Sequence, residues 1–185
     1  VNLPIYEGTS DDVLQKGVGH LEGSSYPLGG ESTHSILSGH SGMASQKMFT
    51  DLEQLTAGDV FYLHVLDETL AYQVVEINTV LPYDTSLLGI APGEDLCTLV
   101  TCTPYGVNTH RLLVRGSRIP YEEAEQIMEE TASEEAAAST WEEKYLQGVI
   151  LGIAAALVLI LVIAIGAQIY QSIAGSSGGN SHAKQ

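Results

Sequence analysis

The chain of 185 residues contains one run, Gly148-Val-Ile-Leu-Gly-Ile-Ala-Ala-Ala-Leu-Val-Leu-Ile-Leu-Val-Ile-Ala-Ile-Gly-Ala167, that has no ionisable or strongly polar side chain. At ~1.5 Å rise per residue, about twenty helical residues cross the ~30 Å hydrocarbon layer of a membrane. A fully buried core helix is the alternative, but the remaining chain is too small to surround such a helix. A signal-peptide apolar region is shorter and sits at the other terminus. Trp141 and Tyr145 on one flank and Tyr170 on the other suit the aromatic belts of the two interfaces. A membrane anchor over 148–170 is therefore predicted, and any soluble fold must be built from the residues before it.

Those residues carry a mostly β pattern. Val1-Ile5 is extended, and Ser10-Asp11-Asp12 caps a short helix, Val13 to Lys16, stopped by Gly17. A Gly/Ser/Pro loop leads into a strand over His34-Ser38. Met48, Leu52 and Leu55 stand at helical spacing within Gln46 to Leu55, with a break expected at Thr50-Asp51. Phe61, Leu63 and Val65 alternate inward against Tyr62 and His64. A turn at Asp67-Glu68-Thr69 then enters a long strand, Leu70 to Leu81. After a loop come two more strands, Leu96-Cys102 and His110-Gly116. Pro120 opens a Glu-rich helix with its acids in the first turn, where the helix dipole favours them. Seven or so short strands in about 120 residues imply one closed or nearly closed β-barrel with a real core. The domain reading is a β-barrel over 1–119, an acidic helical linker over 120–147, the anchor over 148–170 and a Gly/Ser-rich tail over 171–185. The chain opens inside a strand-like segment, so further residues are expected before Val1.

The chain has 23 acidic and 7 basic residues, a net charge of −16. Nine of the acids fall between Glu122 and Glu143, yet the part before them is still acidic, with 14 acids against 5 bases. Such a chain is repelled by nucleic acid, whose affinity rests on neutralising phosphates. Two cysteines, Cys97 and Cys102, lie five apart on one predicted strand, about 16 Å at ~3.3 Å per residue. That exceeds the ~7 Å Cα limit of a disulfide. The odd spacing sends them to opposite faces, Cys97 as small core filler and Cys102 as a free thiol.

The chemistry concentrates in Thr98-Leu-Val-Thr-Cys102-Thr-Pro-Tyr-Gly-Val-Asn-Thr-His110-Arg111-Leu-Leu-Val-Arg115. The residues between Cys102 and Arg111 are rich in Pro, Gly and Asn, a composition that lets the chain double back. An antiparallel hairpin would bring Cys102 and Arg111 to the same end of the sheet. Upstream, Leu37-Ser-Gly-His40-Ser-Gly-Met43 sets a histidine in a glycine-flanked turn. A thiol of ordinary pKa, about 8.5, is mostly protonated at neutral pH, and a neighbouring imidazolium or guanidinium raises its thiolate fraction. A guanidinium never deprotonates, so it can donate to an oxyanion at any pH. Cys, His and Arg are together what acyl transfer through a thioester requires. No metal or cofactor is called for.

TLVTC followed nine residues later by Arg, with an upstream Ser-Gly-His-x-Gly, resembles the sortases, cysteine transpeptidases of Gram-positive cell surfaces. The run TCTPYGVNTHRLLVRG, the opening Asn2-Leu-Pro-Ile-Tyr-Glu-Gly and a membrane segment after the catalytic domain resemble class C, the pilin-polymerising branch. The resemblance covers about residues 1–119 and implies an eight-stranded sortase barrel. It departs at Ser41, where class C enzymes often carry Arg.

The resemblance implies Cys102 as nucleophile, His40 as acid/base and Arg111 as oxyanion donor and substrate clamp, with Thr101 as a further substrate-orienting residue or simple strand filler. Arg115 and Arg118 compete for the arginine role, but their place at the far end of the strand predicts surface pairs. His110 should project to the opposite face from Arg111, and His34 should pack locally. The implied reaction cleaves an LPXTG-like sorting signal between Thr and Gly and transfers the acyl group to a pilin lysine amine. Exported substrates place the catalytic domain outside the cell membrane, which Lys144 and Lys184 alone barely decide. A housekeeping sortase that anchors proteins to cell-wall peptide and a non-catalytic membrane-anchored β-domain are the competing readings. A papain-like hydrolase usually sets its Cys at a helix N-terminus with the His after it, the reverse of the order here.

Overall fold

The computed structural model describes residues 1–42 and 47–176; Met43 to Gln46, the expected helix start at Gln46 among them, and 177–185 of the tail lie outside the described residues. The chain divides into two compact units, Val1–Thr131 and Ala132 onward. In the first, seven strands form one sheet in the order β1-β2-β3-β6-β7-β5-β4. They are β1 (Ile5–Glu7), β2 (Val18–His20), β3 (Thr33–Ser38), β4 (Val60–Val65), β5 (Glu68–Val80), β6 (Asp95–Thr103) and β7 (His110–Ile119). The mainly β reading therefore holds, with seven strands among the described residues where the family resemblance implied eight.

Before Pro120 helical structure is sparse. α1 (Asp11–Leu14) is one turn, and a 3-10 helix covers Thr50–Gln54. The spacing of Met48, Leu52 and Leu55 predicts a helix from Gln46; instead Met48 takes a left-handed φ of 40° and Phe49 donates its N–H to His40 O at 3.0 Å. A tie back to the His40 turn thus overrides the local period. α2 (Tyr121–Ser176) follows Pro120 directly, with Glu122 and Glu123 in its first turn. It contains Lys144–Ile169, 26 residues, about 39 Å at ~1.5 Å each and so long and apolar enough to cross a membrane. No protein core covers that stretch.

β6 lies between β3 and β7, so both of its edges are hydrogen-bonded and it runs through the middle of the sheet. Register separates the two faces. Cys97, Leu99, Leu112 and Val114 join Val18, Leu37, Leu63, Leu70 and Tyr72 in the core. The alternate residues, Thr98, Val100, Cys102, Arg111, Leu113 and Arg115, point the other way, since cross-strand partners share a face. That second face carries the candidate site.

Candidate active site

The β6–β7 hairpin pairs Cys102 directly with Arg111. Directly opposed residues hold their Cβ atoms ~4.5–5.5 Å apart, so thiol and guanidinium occupy one end of one face. The connecting turn closes through the N–H groups of Val107 and Asn108, both donating to Pro104 O, with Asn108 at a φ of 61°. Thr103 pairs with His110, which places His110 on the opposite face from Arg111. The cysteines separate as their odd spacing requires. Cys97 is fully buried, and burial, with the Asp95 charge added, pushes its thiol well above the ordinary range; Cys102 is half-buried and free.

His40 reaches this end from β3, which runs parallel to β6 with Ser38 opposite Val100. The turn that carries it is fastened atom by atom. Gly39 donates its N–H to Val100 O at 3.0 Å, and its carbonyl accepts the Thr101 hydroxyl at 2.7 Å. Ser41 Oγ donates to Cys102 O at 2.7 Å, and Gly42 N–H donates to Thr50 Oγ1 at 3.1 Å. Both glycines have steric reasons. A Cβ on Gly39 would stand 2.7 Å from the Phe49 ring, and Gly42 has a φ of +79° with the Tyr105 ring 2.9 Å from its would-be Cβ. The motif Ser-Gly-His-Ser-Gly is thus a rigid mount for one imidazole.

His40, Cys102 and Arg111 border a single cleft of about 440 Å³, whose apolar walls include Ile36, Val80 and Leu88. Arg111 bonds only the backbone oxygens of His110 at 3.0 Å and Asn108 at 3.4 Å, and no carboxylate pairs with it among the described residues. Its charge is therefore available to a substrate oxygen. Thr101 also borders the cleft, but it is buried and its hydroxyl is committed to Gly39 O, on the face away from Cys102. No cluster of metal-ligating side chains occurs among the described residues.

Sequence reasoning missed three contributors. Ser41, noted only as a departure from a family pattern, ties the His40 turn to the backbone of Cys102. Arg115, expected in a surface pair, is mostly buried and bonds Glu76 and the Leu87 carbonyl. His34 does not merely pack locally; its Nδ1 lies 2.8 Å from Gly89 O, 55 residues away. The apolar sides of both strands were legible, but the loop lying over them was not.

Residues 1–119 match the family model for the sortase domain. The curated Sortase D of Bacillus subtilis (strain 168) is 33% identical over 120 residues, 63% of this chain and 58% of that protein. Sortase C1 from Streptococcus agalactiae is 60% identical, with a TM-score of 0.64 over 65% of this chain and 62% of that one. Sortase C from Streptococcus pneumoniae, whose structure was described as informing catalysis and pilin substrate specificity, is 56% identical, with a TM-score of 0.63 over 64% of this chain and 63% of that one. The chain thus spans 58% of the curated relative's length and just over three fifths of these two solved chains. With the family match covering the whole of the sheet, and with Cys, His and Arg converging on one cleft within it, the chain belongs to the sortase family.

Proposed function

We propose that this chain is a membrane-anchored cysteine transpeptidase of the pilin-polymerising kind. The observation that carries the reading is the direct pairing of Cys102 with Arg111 at the end of the cleft that His40 also borders. Cys102 Sγ attacks the Thr carbonyl of an LPXTG-like sorting signal, and Arg111 donates to the tetrahedral oxyanion. As the Thr–Gly C–N bond breaks, His40 protonates the departing glycine amine, leaving a thioacyl-enzyme. A pilin lysine ε-amine then attacks the thioester carbonyl and passes a proton to His40. The thiolate leaves, and an isopeptide bond remains.

The 55–60% identity to solved sortase C chains, against 33% to a sortase D, favours the pilin reading over a housekeeping role. In this reading residues 120–147 link a barrel over 1–119 to the anchor, with the catalytic domain outside the cell and a short tail, 171–185, inside. Confinement of enzyme and tethered pilin to one membrane surface raises their effective concentration. Protease added outside intact cells should then remove the catalytic domain, whereas protection until lysis reverses the topology. The deciding assay incubates the full chain with a sorting-signal pilin and its partner subunit. Laddered covalent multimers on a denaturing gel, with Lys–Thr isopeptides by mass spectrometry, are expected. Efficient transfer to a glycine peptide without multimers would sink the pilin reading.

A further inference from the structure

The connection between β5 and β6, residues 81–94, cannot be a tight hairpin, because β7 lies between those strands in the sheet. It must cross β7, and its bonds to Arg115 and His34 show that it crosses on the face shared with Cys102. An irregular segment laid over packed side chains brings carbonyl groups that need donors. Two of them find donors in side chains of the sheet. Arg115, on β7, donates one arm of its guanidinium to Leu87 O and the other to Glu76 on β5. His34, on β3 and 1% exposed, has Nδ1 2.8 Å from Gly89 O and Nε2 2.7 Å from Thr98 Oγ1. A carbonyl can only accept, so Nδ1 carries the proton and Nε2 accepts the Thr98 hydroxyl.

The residue between the two held carbonyls is Leu88, whose own N–H donates to Thr85 O at 3.0 Å. Leu88 borders the Cys102 cleft together with Ile36, Val100 and Leu113. The Arg115 anchor is built into the sheet. β5 carries a bulge between Val74 and Glu76, which moves the register by one so that Glu76, not Val75, lies across from Arg115. Without the bulge Arg115 would face an apolar residue and lose the carboxylate that orients it.

We propose that Arg115 and His34 are positioning residues that hold Leu88 as the fixed side wall of the cleft, against which the apolar part of the peptide substrate packs. This rests on the proposed function, since it assigns the cleft a peptide. An unanchored 14-residue crossing would still leave Cys102, His40 and Arg111 in place, because among the described residues the strand pairing and hydrogen bonds that hold them run through other segments. Loss of the anchors should therefore weaken peptide binding and spare the chemistry.

The test measures sorting-peptide cleavage by the full chain in detergent, as separate kcat and KM. Losing one well-packed apolar contact typically costs about tenfold or more in discrimination, so Arg115→Met should raise KM about tenfold with kcat near wild type. Alkylation of Cys102 by iodoacetamide should be unchanged. Leu88→Ala should raise KM to a similar degree, and the double variant should be no worse than either single one, because both remove the same wall. Arg115→Lys, which keeps the charge but can reach only one of the two partners, should fall between, and it carries the comparison with Leu88→Ala if Arg115→Met fails to fold. Unchanged KM, or effects of Arg115 and Leu88 that multiply, would overturn the positioning role. No cleavage by the wild-type chain would overturn the proposed function instead.

Discussion

At the closed end of the β6–β7 hairpin, Arg111 stands across from Cys102 and, among the described residues, bonds only backbone oxygens. At the open end, Arg118 lies 5.7 Å over the Tyr72 ring and 3.8 Å from Asp95, whose other oxygen accepts the Tyr72 hydroxyl at 2.9 Å. A hollow of about 550 Å³ adjoins that end too, larger than the 440 Å³ of the Cys102 cleft. Size does not separate the two ends; charge balance does. At the open end cation, carboxylate and phenol satisfy one another, and burial together with Asp95 pushes the Tyr72 hydroxyl far above its ordinary titration range. At the closed end the guanidinium borders a cleft that also carries Asp11 and Asp84, yet among the described residues no carboxylate pairs with it. A fold gains nothing by leaving a cation unpaired beside a thiol, so the missing ion pair supports the proposal that the partner of Arg111 arrives with the substrate.

The two cysteines offer the sharpest way to break that comparison. Cys102→Ala should abolish both cleavage of an LPXTG-type peptide and formation of a thioacyl-enzyme, seen as a mass adduct on the intact protein. Cys97→Ala should keep both and cost about 1 kcal/mol of stability, an ordinary core substitution. Comparable cleavage by the Cys102→Ala chain would remove the thioester mechanism.

The arginines come next. Arg111→Ala should lower kcat about 10²–10³-fold, the usual loss for one oxyanion donor. Arg118→Ala should leave kcat where it is and lower Tm. Arg118 is a third exposed and 3.8 Å from its carboxylate, so solvent screening keeps that loss to about 1 kcal/mol or less. Equal kcat losses from both variants would erase the distinction between the two ends.

Thr101 tests whether the frame and the site are different things. If its hydroxyl serves Gly39 and not the substrate, Thr101→Val should cost about 1 kcal/mol of stability and change kcat only through the His40 mount, with KM unmoved. A raised KM at unchanged stability would restore Thr101 to the substrate side.

These contrasts also show where sequence alone was enough. The turn composition between Cys102 and Arg111 specified a hairpin, and the parity of positions 97 and 102 specified opposite faces; both follow from local rules and both hold. The glycine-flanked His40 was visible as a turn, but its mount was not, because Thr101, Phe49 and Thr50 reach it from other elements. The ion pair of Arg115 was foreseen, but its burial was not, for the same reason. Its burial depends on a bulge at β5 and on a loop that crosses β7, and neither leaves a periodic trace in the sequence. Strand identity is a near-neighbour property, whereas the lid over a strand's side chain is decided dozens of residues away.

The smallest expected effect concerns that same loop and the protons it tolerates. His34 is buried against Gly89 O and Thr98 Oγ1, and burial lowers its pKa below the ordinary 6.5; the hydrogen bond to Gly89 O opposes that shift without cancelling it, and the Arg115 charge adds to it. Glu76 faces Arg115 and compensates part of that charge. In the unfolded chain the imidazole is free to take up a proton as pH falls through about 6.5; in the folded chain it resists. The unfolded state therefore binds more protons below that pH, and stability falls with acidification. Above it both states are neutral at His34, and the residue adds no slope. One such proton contributes at most about 1.4 kcal/mol per pH unit. Tm measured between pH 8 and pH 5 should thus be flat at first and then decline, and His34→Gln, less stable throughout, should decline less steeply over the same range. A wild-type curve that rises on acidification, or a variant with the same slope, would mean that His34 is not the neutral donor that holds Gly89 over the cleft face.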